Sequence, residues 1–211
     1  PEGPNFKLLG INFDCELEVS DAINDVVNEV GWKMKALLRT RRFYCDAELV
    51  LMYTSHLLSF LEYRTPAIYH AKRDALARLD NVQQRFLREV GIDDLSALMH
   101  FNLAPLATRR DIAMLGLIHR TILKNGPPHF REHLQREACA PTGVARRHSR
   151  HLVDPRLERQ DRVITRSALG LVAADNMLPI YIVTISEFST FQTALQHIVK
   201  NRAEEGCADW A

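Results

Sequence analysis

Residues 73–95 read RDALARLDNVQQRFLREVGIDDL, and how this stretch is understood decides the fold. Leu76, Leu79, Val82, Phe86, Leu87 and Val90 recur at helical spacing, which predicts an amphipathic helix from about Arg73. Gly91 stands where a helix C-cap favours positive φ, and Ile92 can make the apolar contact back that accompanies such an ending. Asp93 and Asp94 then admit two readings. Adjacent carboxylates can hold catalytic metal when they sit on the tight turn of a β-hairpin and a neighbouring strand supplies a third. The flanks offer no strands, however: one helix ends at Gly91 and a short helical pattern follows. The stretch therefore predicts a helix C-cap followed at once by an N-cap, whose carboxylate accepts backbone N–H groups.

Helical periodicity continues on both sides. Ser20 can cap a helix with Ile23, Val26, Val27, Val30, Met34, Leu37 and Leu38 on one face. Another begins near Asp46 and turns Leu49, Met52, Tyr53, Leu57, Phe60 and Leu61 inward, until Pro66 ends or bends it. Thr108 to Asp111 has the pattern of a capping box, opening a helix with Ile112, Leu115, Ile118 and Ile122 inside. Asn125-Gly126-Pro127-Pro128 stops that helix. A last helix begins at Ser186 or Ser189, with Ser189 and Gln192 as a second capping box, and buries Phe188, Phe191, Leu195, Ile198 and Val199. Strand signal is confined to Phe6–Val19, with a short extended piece at Ile180–Thr184. The expected fold is mainly α: a helical bundle with a short N-terminal β-hairpin and a C-terminal helical appendage. The expected divisions are a hairpin over 1–19, a helical domain over 20–136, an Arg/His-rich linker over 137–160, and a C-terminal segment over 161–211.

Composition excludes several classes. The 211 residues are 46% hydrophobic and 25% charged, ordinary values for a globular chain long enough to bury a core. No apolar run is long enough to span a bilayer, and the first twenty residues lack the pattern of a signal peptide, so no membrane partner and an intracellular setting are expected. Cys15, Cys45, Cys139 and Cys207 form no CxxC pair and read as reduced thiols. The chain starts at Pro1, and its first residues enter structure without a lead-in, which suggests a piece of a longer protein. Charge is uneven. Residues 1–30 hold one Lys against seven acids, a net of −6, whereas residues 131–166 hold nine Arg against five acids, a net of +4. The acidic start should be repelled by nucleic acid, while the Arg-rich stretch is either a solvated loop or a contact to it.

No complete catalytic constellation is visible. His129 with His133, and His148 with His151, have spacings that place two ligands on one helix face, but a zinc site needs further ligands and only Cys139 lies near. Ser167 and Ser186 lack a nucleophile elbow, and there is no Gly-rich phosphate loop. No catalytic or metal-binding residue is therefore expected in this chain. Binding remains. Lys35, Arg39 and Arg42 are spaced i, i+4, i+7 opposite the apolar face of the Ser20 helix, flanked by Lys33 and Arg41. Such a stripe either runs along a phosphate backbone or is a solvated face.

Phe6-Lys7-Leu8-Leu9-Gly10-Ile11-Asn12-Phe13-Asp14 resembles the K-x-LG-x-x-x-D segment of reverse transcriptases from non-LTR (LINE, jockey-like) retrotransposons. LEYRTPAIYHAKRDALARLDNVQQRFLREVGI is similar to the helical region after it, LAPLATRRDIAMLGLIHR fits that region too, and RSALGLVAADNMLP resembles the N-x-LP tail. The four motifs occur in the family's order and span nearly the whole chain. The resemblance implies a fragment with the β-hairpin edge of a palm at Phe6–Val19, followed by thumb and post-thumb helices. The parent would be an RNA-directed DNA polymerase of cytoplasm and nucleus, with two Mg²⁺ held by carboxylates upstream of Pro1, so this piece alone should need no cofactor and not polymerise. Its expected partners are RNA and RNA–DNA duplex, held weakly and without sequence preference, and the rest of the parent polypeptide. Lys33, Lys35, Arg39, Arg41 and Arg42 become the expected phosphate contacts, although no family motif fixes them. The alternative is a non-catalytic helical protein-interaction module, or the product of a decayed element.

Overall fold

The computed structural model describes residues 5–8, 10–135, 150–158 and 161–207. The chain is mainly helical and enters through a hairpin of β1 (Asn5–Leu8) and β2 (Ile11–Asp14), antiparallel with Leu8 opposite Ile11. Gly10 turns the chain at φ 80°. A two-stranded hairpin is barely stable alone. Here Phe6 stacks on Phe13 at 5.2 Å, Ile11 is buried, and the Asn12 amide donates to Asp25 at 3.0 Å. The Asp14 carboxylate accepts the backbone N–H groups of Glu18 at 2.9 Å and Val19 at 3.0 Å. These bonds fix a loop in which Leu17 and Val19 stand at φ 55° and 52°, the latter costly for a β-branched residue and held by its complete burial. The entry to the first helix is thus organised by Asp14. Ser20, the expected cap, is instead the first helical residue.

The helices follow in order: α1 (Ser20–Arg39), α2 (Asp46–Tyr53), α3 (Ser59–Tyr63), α4 (Thr65–Ile68), α5 (Arg73–Val90), α6 (Asp94–Phe101) and α7 (Leu106–Ile122). A π-turn over Thr54–Leu58 joins α2 to α3. The extra residue rotates the face, so that Tyr53, Leu57, Leu58 and Leu61 are buried while Met52 and Phe60, expected inside, are only partly so. The hydroxyls of Thr54 and Ser55 donate to carbonyls of the preceding turn. Tyr53 stacks on Phe86 at 4.3 Å in the core shared by α1, α2, α3 and α5.

The decisive stretch adopts the predicted caps. Gly91 sits at φ 84°, and the N–H groups of Gly91 and Ile92 both reach the Leu87 carbonyl, at 2.8 and 3.0 Å. Asp93 then caps α6, accepting from the Ser96 N–H at 2.9 Å and the Ser96 hydroxyl at 2.7 Å. Those two bonds, the backbone one first, hold its carboxyl below the usual range. The Thr108 capping box does not form, because α7 starts two residues earlier and Thr108 is buried inside it. Tertiary ion pairs explain the shift: Arg109 pairs with Glu62, and Arg110 grips Asp80 with two bonds of 2.7 and 3.0 Å.

Contacts divide the chain after Arg110 into two compact units. The second holds the rest of α7 and then α8 (Pro128–Arg131), α9 (Pro155–Glu158), α10 (Arg162–Arg166), α11 (Val172–Met177), α12 (Ile180–Val183) and α13 (Phe188–Glu204). Ile112, Leu115, Ile182, Phe191 and Leu195 form one small core; Ile118, Leu134, Leu152 and Val172 form another. The extended piece expected at Ile180–Thr184 is the single helical turn α12, launched by Pro179. Ser189 does not cap α13. Glu187 precedes that helix, and its carboxylate takes the Ser189 and Thr190 hydroxyls. Of the expected linker, 137–149 and 159–160 lie outside the described residues, His148 and Cys139 among them. Within the remainder, Leu152 is buried, and Asn176 bonds both its backbone N–H (2.8 Å) and its carbonyl (2.9 Å).

Candidate nucleic-acid interface

Two helical stripes with the same spacing meet in the first unit. On α1, Asn28, Gly31, Trp32 and Lys35 follow i, i+3, i+4, i+7, beside the core positions Val26, Val30 and Met34. On α5, Arg78, Asn81, Val82 and Arg85 repeat the pattern beside Leu79 and Phe86. Residues at this spacing share a helix face. Packing of α1 against α5 brings the two stripes to the walls of one cleft of about 420 Å³. At Gly31 an added Cβ would meet nothing within 4 Å, so the absent side chain leaves the cleft open.

The lining carries three cations, Lys35, Arg78 and Arg85, and no acid. Arg78 is tied to the Asn24 side-chain oxygen. Lys35 and Arg85 have no acidic partner among the described residues. Like charges facing one cleft repel each other when it is empty, and a polyanion laid along its rim relieves that repulsion while releasing counterions.

The residues expected from sequence are not one group. Lys35 lies in the cleft. Lys33 sits on the other flank of α1, paired with Glu29 at 2.7 Å and 3.9 Å above the Phe60 ring. Arg41 pairs with Glu89 at 3.0 Å and also donates to its carbonyl. Arg39 is exposed at the last turn of α1, and Arg42 lies beyond it in the 3-10 turn Arg41–Phe43, over the Phe43 ring. The i, i+4, i+7 stripe is therefore interrupted by the end of the helix. Arg78, Arg85 and Trp32 were not singled out from sequence, although their spacing on two amphipathic helices was available as a signal.

Among the described residues, no group of three His, Cys, Asp or Glu side chains stands close enough to hold a metal ion, and no helix is long and apolar enough to cross a membrane. His129 lies in the single turn α8, and His133 lies beyond its end. No protein-family model, curated protein or solved structure compared with the chain matches it.

Proposed function

We propose that the chain is the thumb and post-thumb part of a non-LTR retrotransposon reverse transcriptase, and that it grips template–primer duplex through phosphate contacts without reading base sequence. The parent would be an RNA-directed DNA polymerase of cytoplasm and nucleus, using two Mg²⁺ bound in its palm; this part contributes grip, not chemistry. The observation that carries the reading is the acid-free cleft between α1 and α5 with Lys35, Arg78 and Arg85 on its walls. Arg39 and Arg42 extend the positive surface past the end of α1. Contacts of this kind track the shape and charge of an A-like duplex.

Binding of a labelled RNA–DNA hybrid across a salt series tests it. Affinity should fall steeply with salt, and Lys35→Ala, Arg78→Ala or Arg85→Ala should each weaken binding and reduce the slope by roughly 1. Absent or salt-independent binding would overturn the proposal. Lys33→Ala serves as the internal comparison, because Glu29 already neutralises that lysine.

A further inference from the structure

Trp32 is 73% exposed although it belongs to an amphipathic helix whose apolar face packs on the core without it. The fold does not use this indole. It borders the cleft, one helical turn from Asn28 and three residues before Lys35, with Arg78 and Arg85 on the opposite wall. Its place in the fold is therefore an aromatic surface set among phosphate-binding cations. Bases inside a duplex are stacked on each other and closed to such a ring. Unpaired bases are open to it, and single-stranded segments are bound by this combination of aromatic platform and basic groove. The cleft has room for a single nucleotide, whereas a duplex can only lie over its rim.

We infer that Trp32 stacks on an unpaired base adjoining the duplex, making the cleft a site for the junction between double and single strand. This rests on the duplex-binding reading above. In this arrangement Lys35 and Arg85 hold the phosphates beside the stacked nucleotide. The Asn28 and Asn81 side chains face its base edge; each amide both donates and accepts, so any of the bases is accommodated.

The test compares a blunt RNA–DNA hybrid with the same hybrid carrying a single-stranded extension of about four nucleotides. Fluorescence anisotropy of the labelled hybrid is read on the full chain at one salt concentration. The extended probe should bind about tenfold more tightly than the blunt one, the size expected for one stacked base. Trp32→Ala should bring that ratio close to one, and Trp32→Phe should keep much of it. Lys35→Ala should weaken both probes, because the proposed duplex grip uses that lysine whether or not a base is stacked. Because Trp32 is exposed, these variants should fold, and circular dichroism verifies it. Equal binding of the two probes by the unmodified chain, or a preference that survives Trp32→Ala, overturns the inference while leaving duplex binding intact. Failure of both probes to bind overturns the duplex reading and this inference with it.

Discussion

Asp175 on α11 should cost the protein stability at neutral pH. It is 2% exposed, and its Oδ1 has no hydrogen-bond partner among the described residues. Burial without a compensating cation pushes its carboxyl from 3.8 up to about 6. The native state therefore holds this proton more tightly than the unfolded chain does. The resulting stability is fully present below pH 3.8 and is lost as pH rises through about 6. At about 1.36 kcal/mol per pH unit, the full effect is about 3 kcal/mol, and most of it falls between pH 4 and pH 7.5. Asp175→Asn removes the titration. Any constant penalty from the new amide N–H groups enters at both pH values and cancels in the difference, as does every other titrating group. Urea unfolding of both proteins at pH 4 and pH 7.5, followed by circular dichroism, gives the four stabilities required. The variant should gain about 2 kcal/mol on the wild type in moving from the acid to the neutral condition. A gain below about 1 kcal/mol, or one of opposite sign, would show that the buried carboxyl is compensated after all.

The Tyr53 hydroxyl is fully buried with no hydrogen-bond partner among the described residues, and burial drives its ionisation far above the usual phenol range. Tyr53→Phe should keep the stack on Phe86 and raise stability by about 1 kcal/mol in the same urea assay; a loss of that size would mean that the hydroxyl is satisfied. Gly31 lies inside α1 with open space at its Cβ, so Gly31→Ala should stabilise by about 0.5–1 kcal/mol, checked by the thermal midpoint, while Gly31→Met should also fill the cleft and weaken hybrid binding. His119 stacks on Phe191 at 3.8 Å and donates through Nε2–H to the Ile185 carbonyl at 2.7 Å, yet desolvation, the largest influence, lowers its pKa. Its contribution is thus present above pH 6.5 and lost as pH falls below it, and an NMR titration placing its midpoint above 6.5 refutes that assignment.

What was legible in the sequence was local. The Gly91 and Asp93 caps depend on residues within five positions, and they form as the pattern predicts. Thr108 has equally good local credentials, but Arg109 and Arg110 form ion pairs with Glu62 and Asp80, 47 and 30 positions away, and these contacts set where α7 begins. The π-turn escapes any reading that assumes a 3.6-residue period. The binding residues divide the same way. Lys33 could have been set aside, since Glu29 stands four residues before it. Arg41 could not, because Glu89 is distant in the chain. Lys35 was visible as part of a stripe, whereas the cleft exists only because a second helix carries Arg78 and Arg85 to face it.

The same division ranks the grounds for a function. Several residues that carry the family resemblance are fully occupied by folding. Gly10 takes the positive φ of the hairpin turn, Asp14 ties the loop into α1, and Asn176 holds the backbone of Leu152. Any protein folding this way needs such residues whatever it binds, so their presence speaks to architecture. Trp32, Lys35 and Arg85 are the opposite case. They are exposed, unpaired with any acid among the described residues, and gathered at one cleft, and folding gains nothing from placing an indole and three cations together. Mutual repulsion makes that arrangement unfavourable in the free protein, and the negative charge of the proposed nucleic-acid partner would relieve it. Substitutions at Gly10, Asp14 and Asn176 should therefore lower stability, and those at Trp32, Lys35 and Arg85 should leave stability within about 0.5 kcal/mol while changing hybrid binding. Loss of stability from the cleft variants would return those side chains to a structural role and remove the ground for a nucleic-acid partner.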